Sequence, residues 1–414
     1  MSAPNLVVNS DRLWASIQET AAIGATPKGG ICRLALSDED RRVRDWFAEA
    51  CRACGCSVSV DALGNMFARR PGRNPKLPPI AIGSHLDTQP TGGKYDGIIG
   101  VLAGLEIMRL LDEAGVETEA PIELINWTNE EGARFAPAML ASGTFAGVFT
   151  PDYAYAREDR GGVSFGSALD AIGYRGAEPI GHPLSAHFEL HIEQGPILEA
   201  EGRTIGVVTG VQSIRWYEAT MTGMDGHAGA TPMHLRRDAL LGVAEIVRAV
   251  HALAMRYAPG AVGTVGMIEN RPNSRNVVPG EVFFTVDLRH ADDAVVAEMD
   301  AAFRAEAAAI ASRSGLTLSL EETWRSPAVH FDAGCVAAVT GAAERLGLSH
   351  RPLVSGAGHD SAYIARVAPT TMVFIPCKDG LSHNEAESAT QADVAAGANV
   401  LLGAVLAFDR GLGE

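Results

Sequence analysis

The 414-residue chain has 34 basic and 50 acidic side chains, a formal net charge of −16 that repels a phosphate backbone and argues against nucleic acid as a partner. Hydrophobic residues make up 47% and charged residues 20%, enough apolar material for one large core and a second smaller one, so two domains are expected. Six cysteines in a chain of this length do not make a disulfide scaffold, and a reducing, cytoplasmic setting is expected.

The run from Met1 to Trp14 lacks the basic and apolar segments of a secretory signal, so none is expected. Ser37 to Cys54 reads as a helix, with Ser37 as N-cap and Asp38, Glu39 and Asp40 in its first turn. Cys51, Cys54 and Cys56 lie at its end. No second CxxC follows them, so buried thiols are expected there rather than a structural zinc site. Pro79 to Ser84 reads as a strand and Ile98 to Ala114 as a helix closed by Gly115; Pro121 to Thr128 reads as a further strand. This βαβ alternation predicts an α/β fold, with a mixed, mostly parallel sheet and helices on both faces. GVSFG around Ser164 fits a GxSxG pattern, but it follows the polar run REDRGG where a nucleophile elbow needs a strand, so the match is read as chance.

After residue 210 the pattern changes. Ile214 to Thr222, Val282 to Arg289 and Leu316 to Thr323 alternate as half-exposed strands, with helices over Arg237 to Tyr257 and 293–313 between them. A helix over 332–346 and a strand from Thr370 to Pro376 restore the first style. The chain therefore reads as a discontinuous domain, 1–211 and 328–414, interrupted by an inserted α+β domain, 212–327. The apolar stretch Val394 to Phe408 is short for a membrane span and carries Asn399, so a docked C-terminal helix is expected and no membrane partner.

Chemistry-bearing residues gather at the ends of the predicted strands. His85 and Asp87 are two apart. On extended chain they share a face, so one ring nitrogen could take a metal while Asp87 bonds the other. Asp96 follows in a glycine-rich loop and could bridge two cations. Glu130 and Glu131 point different ways on extended backbone; one could bind a metal while the other takes a proton from water. His191, Glu193 and Gln194 close the segment FELHIEQGP, and His383 sits in a loop after TTMVFIP. Nitrogen and oxygen donors without thiolates suit Zn²⁺, Mn²⁺ or Co²⁺. Arg289 faces away from the apolar side of VFFTVDLR, as a fork for a planar carboxylate would. Taken one at a time, these segments also read as a turn histidine, an exposed glutamate pair, a core histidine and a strand-end arginine.

In chain order, GSHLDTQPTGGKYDG, NWTNEEGARF, ELHIEQGP, GHAGATPM, RPNSRNVVPG with DLRH, SGAGHDS and LSHNEAE resemble the motif set of the zinc amidase/hydantoinase/carbamoylase family. This is the N-carbamoyl-L-amino-acid hydrolase and β-ureidopropionase-like branch of the aminoacylase/carboxypeptidase superfamily. The resemblance implies a dinuclear zinc aminopeptidase-like catalytic domain, an inserted lid and dimerisation domain, a homodimer, and two divalent metal ions per subunit, zinc first, with Mn or Co as alternatives. It implies that Asp96 bridges the metals, that His85 and His191 complete one site, and that Glu131 and His383 complete the other. Glu130 becomes the general base, Asp87 orients His85, and His227 stabilises the oxyanion, typically across the dimer. Arg289 binds the substrate carboxylate, with Gln194, Asn276 and His359 as further polar contacts. The implied reaction cleaves the carbamoyl C–N bond of an N-carbamoyl amino acid to the free amino acid, CO₂ and ammonia. The wording TQPTGGKYDG leans toward β-ureidopropionase. An allantoate amidohydrolase and an aminoacylase or dipeptidase are the alternatives on the same scaffold. A non-catalytic metal or amino-acid binding protein is the alternative of another class, and the presence of all five ligands and Glu130 weighs against it.

Overall fold

The computed structural model describes residues 6–413. Internal contacts divide them into two units: one formed by the chain up to Gly210 together with the chain from His330, the other by Val211–Val329.

The first unit is built on a mixed sheet. Its successive strands are Ser57–Val60, Met66–Arg70, Ile122–Trp127, Ile80–His85, Ala186–Ile192, Thr370–Ile375 and Ile205–Val211. The central four, from Ile122–Trp127 to Thr370–Ile375, run parallel. Those flanking them run antiparallel. The strand period of two sorts the side chains. Ile80, Ile82, Ile122, Leu124, Phe188, Leu190 and Ile192 enter the main core with the helices Ser10–Ala21, Asp38–Ala53, Ile98–Glu113, Ala333–Arg345 and Gln391–Leu412. Phe67, Ala81, Ile125 and Trp127 take the opposite face and meet Phe145 and Ile364 from the short helices Leu140–Phe145 and Asp360–Ile364. Burial at about 25 cal/mol per Å² of apolar surface drives both layers.

Local signals set the helix boundaries. Ser37 accepts from the amide of Asp40, and helix Asp38–Ala53 starts there. Asp238 accepts from the amides of Leu240 and Leu241, which is why helix Ala239–Arg256 begins two residues later than its apolar pattern suggests. Ser164 does the same for Phe165–Ala171; a single bridge to Glu158, not a strand, precedes it, so it is a cap and not a nucleophile elbow. Cys51, Cys54 and Cys56 are buried free thiols. The last helix, Gln391–Leu412, is long and apolar enough to cross a membrane. It is longer than its apolar stretch because Thr390 caps it, and Val394, Val400, Leu401, Leu402 and Val405 are buried in the main core.

The second unit is an antiparallel sheet in the order Ile268–Arg271, Glu281–His290, Ser213–Thr222 and Thr317–Ser326. Helices Ala239–Arg256 and Asp293–Arg313 bury one face around Tyr217, Val243, Ile246, Phe284, Met299 and Phe303.

In strand Ala186–Ile192, His187 is fully buried; burial lowers its pKa to about 3 from 6.5. A histidine depressed in the folded state contributes stability above its unfolded pKa, and that contribution is lost as pH falls through the window from 6.5 toward 3. His187→Asn is therefore expected to flatten the fall of Tm with acid, removing on the order of 3 kcal/mol of the wild-type loss at about pH 4. Thermal unfolding of both proteins across that range checks it; parallel Tm–pH curves would refute it.

Candidate metal centre

The site forms where the parallel strands end. His85 is the last residue of its strand and pairs in register with Trp127, three residues before Glu130. His191 pairs with Phe374 on the strand that leads into the loop of His383. Parallel strands in register thus deliver His85, Glu130, Glu131, His191 and His383 to one edge.

Asp96 lies between two donor sets. Its Oδ1 is 3.1 Å from His191 Nε2 and 3.7 Å from His85 Nε2. Its Oδ2 is 3.5 Å from His383 Nε2, which is itself 3.5 Å from Glu131 Oε2. His85, Asp96 and His191 place one donor atom each within 4.8 Å of one another, and so do Asp96, Glu131 and His383. Glu130 Oε2 lies 3.5 Å from His85 Nε2. His85, His191, Asp96 and Glu130 are buried, whereas the His383 side chain is 51% exposed and marks the open side of the site.

Both buried rings are turned the way a metal needs. His85 Nδ1 donates to the backbone carbonyl of Asp87 at 2.9 Å, and His191 Nδ1 to that of Ile192 at 2.9 Å, which turns each Nε2 toward the centre. The amide of Gly97 lies 3.0 Å from His191 Nε2. Asp87 meets the His85 ring through a different atom from the carboxylate expected. Its main-chain oxygen orients His85. Its carboxylate instead accepts from the amides of Glu130 and Glu131, at 3.2 and 3.3 Å, and so shapes the turn that carries them. The buried guanidinium of Arg33 steadies the same loop by donating to Leu86 O at 2.7 Å.

The electrostatics call for cations. Burial pushes Glu130 well above the usual carboxylate range, with the charges of Asp360 and Glu131 adding to it. Burial and then Asp96 do the same to Glu131. Asp87 rises to about 7 through burial and Asp40. Burial lowers His85 to about 4. Burial would lower His191 as well, but the hydrogen bond and charge of Asp96 outweigh it and lift the ring to about 9, so Asp96 draws to Nε2 a proton whose place a cation would take. Crowded carboxylates facing imidazole lone pairs are the donor set that divalent cations satisfy, and the absence of sulfur suits Zn²⁺, Mn²⁺ or Co²⁺. The residues present therefore fit a metal.

The expected substrate contacts fall in both units. Gln194 is at the centre: its Nε2 donates to Asp96 Oδ2 at 2.9 Å, and its buried Oε1 has no partner. His359 is buried; its Nε2 meets Ser355 Oγ at 3.0 Å and its ring packs edge-on against His191. With Glu189 and His191 it places one possible donor atom each within 4.8 Å of one another. In the second unit, Gly226–His227 pairs with Val277–Val278, which brings His227 beside Asn276, whose carbonyl accepts from the amide of Ala228. The amides of Gly229 and Ala230 both donate to His227 Nδ1 at 3.1 Å, so its proton is on Nε2. The Arg289 fork closes on Asp287, at 2.6 Å at its nearest. Ser382 and Glu387 were not singled out from the sequence, although both lie in or beside the segment SHNEAE; Ser382 Oγ donates to Asp96 Oδ2 at 2.6 Å.

Residues 81–407 match the model of peptidase family M20/M25/M40. An N-carbamoyl-L-amino-acid amidohydrolase of Rhizobium meliloti is 54% identical over 98% of each chain. One of Geobacillus stearothermophilus is 37% identical over 98% of this chain and 100% of its own. A crystal structure of an amidase of the hydantoinase/carbamoylase family from Burkholderia multivorans superposes with a TM-score of 0.96 at 57% identity, covering 98% of this chain and 99% of that one.

Gly97 tests the geometry. It has φ +68, and a Cβ there would lie 2.2 Å from His85 Nε2. Gly97→Ala is expected to abolish tight divalent-cation binding while circular dichroism stays native. Wild-type metal content after dialysis would show that His85 Nε2 is not a ligand.

Proposed function

Since the chain belongs to peptidase family M20/M25/M40, we propose that it is a metal-dependent amidohydrolase that cleaves the carbamoyl C–N bond of N-carbamoyl-L-amino acids. The observation that carries this reading is Asp96 with one oxygen toward His85 and His191 and the other toward His383 and Glu131, beside an unligated Glu130. Two divalent ions, zinc first, held by those five residues, would lower the pKa of water toward about 7 and polarise the carbamoyl oxygen.

The chain's own groups then do the following. Glu130 takes a proton from the attacking water as oxygen bonds to the carbamoyl carbon. His227 donates from Nε2 to the oxygen on which charge develops, a contribution of roughly 3–4 kcal/mol per donor in comparable sites. Glu130 returns the proton to the amine nitrogen as the C–N bond breaks. The carbamic acid that leaves falls apart to CO₂ and ammonia. Arg289 receives the substrate carboxylate through its fork, with Asn276 and Gln194 as further polar contacts. The protein acts as a homodimer; Met233, Leu235, Leu241 and Ile268, exposed on the second unit, support pairing with a second copy.

The names of the relatives favour L-α-amino acids over β-alanine. Ammonia release from a panel of N-carbamoyl-L-amino acids, N-carbamoyl-β-alanine, allantoate and an N-acetyl amino acid decides the substrate. Glu130→Gln should lose at least ~100-fold in kcat while keeping its metals. Undiminished turnover in that variant would remove the general base. Arg289→Ala should lower kcat/KM on carboxylate substrates more than on their amides, and an unchanged ratio would end that assignment. A monomeric variant with full activity would exclude a His227 that acts across the dimer.

A further inference from the structure

A carboxylate can serve two donor sets only if the backbone that carries it is fixed. Asp96 lies in the loop between strand Ile80–His85 and helix Ile98–Glu113, and loops are the least constrained parts of a fold. The amides of Tyr95 and Asp96 are buried and need acceptors. Both find the same atom, Glu387 Oε1, at 3.0 and 3.1 Å, from nearly 300 residues away in the chain.

We infer that Glu387 is a positioning residue that clamps the Asp96 loop to the His383 loop and so sets the spacing between the two halves of the metal centre. Glu387 is 5% exposed and belongs to none of the groups of possible metal donors among the described residues, so its carboxylate is committed to these contacts. Its Oε2 lies 3.3 Å from Ser382 Oγ, the same hydroxyl that donates to Asp96 Oδ2. Around His383 the backbone is strained, with φ +55 at a residue that is not glycine. The loop that holds this strain is tied down just beyond His383. Glu385 accepts from Thr26 Oγ1 at 2.5 Å, and the Glu387 amide donates to Asn384 O at 3.0 Å.

Gly93 carries the other half of the argument. Its φ is not in the left-handed region, so its backbone would accept a side chain. A Cβ there would instead lie 2.1 Å from Glu387 Oε1 and 2.4 Å from Glu387 Cβ. Position 93 is therefore glycine because Glu387 fills the space a methyl would need.

The inference rests on the metal reading of the site, and its test reads metal affinity rather than turnover. Metal-stripped full-length protein is titrated with Zn²⁺ in competition with a chromophoric chelator, and unfolding of the metal-free form is followed in parallel. Glu387→Ala should weaken at least one equivalent by about 10–100-fold, the usual scale for groups that support metal ligands. Glu387→Gln keeps an oxygen for both amides and should bind close to wild type. Gly93→Ala should reproduce the loss, because its methyl occupies the space of the Glu387 carboxylate and displaces the clamp. Metal-free Tm should change far less than affinity does. Wild-type affinity in Glu387→Ala, a Glu387→Gln as impaired as the alanine variant, or wild-type affinity in Gly93→Ala would each overturn it. Should Glu387→Ala fail to fold, Glu387→Gln and Gly93→Ala still decide. A wild-type protein that binds no divalent cation would sink the metal reading and this inference together; wild-type binding with unimpaired variants sinks this one alone.

Discussion

The two oxygens of Asp96 face different ways, and the rest of the centre is arranged to keep them there. One looks to the imidazoles of His85 and His191, the other to His383. Around it Asp87, Glu130, Glu131, Asp360 and Glu387 are all buried or nearly so, and burial raises every one of them above its ordinary range. A fold does not keep so much latent negative charge enclosed unless something positive offsets it. The same crowding raises Glu130, and a carboxylate raised in this way is a stronger proton acceptor that can take a proton and then give it back.

The scaffold makes this possible through register. Strands Ile80–His85, Ile122–Trp127, Ala186–Ile192 and Thr370–Ile375 lie side by side in parallel, and each leads directly to a functional side chain. The main-chain carbonyls that follow the two buried histidines then choose the tautomer. Selection by the backbone is robust, because no side-chain substitution can remove those carbonyls. The carboxylate of Asp87 is thereby released to hold the turn at Glu130 and Glu131.

The fold class was legible because its signals are periodic. Apolar runs of strand length alternating with amphipathic helices predict a parallel sheet, and the second unit's clean alternation in VFFTVDLR predicts a half-exposed antiparallel one. Strands Ser57–Val60, Met66–Arg70 and His350–Ser355 escaped notice because they are short and carry Ser, Arg or His where a buried strand would be uniformly apolar. In the candidate site, the residue types that bind metals could be picked out, since imidazole and carboxylate at strand ends are chemically conspicuous. What could not be read was which atom does what. Nothing in the spacing of His85 and Asp87 says that the carbonyl, not the carboxylate, meets the ring. Nothing in LSHNEAE separates Glu385 from Glu387. Burial decides such matters, and burial depends on chain segments hundreds of residues apart.

Strand Ala186–Ile192 sends Phe188, Leu190 and Ile192 to the helices, while His187, Glu189 and His191 alternate with them. The two sets interleave one for one, so the segment can tolerate no change of length. Losing or gaining a single position before His191 would push imidazole and carboxylate into the oily layer and bring phenylalanine and leucine to the reactive edge. Drift in this lineage must therefore proceed by replacement within the strand, with insertions and deletions confined to the loops that flank it.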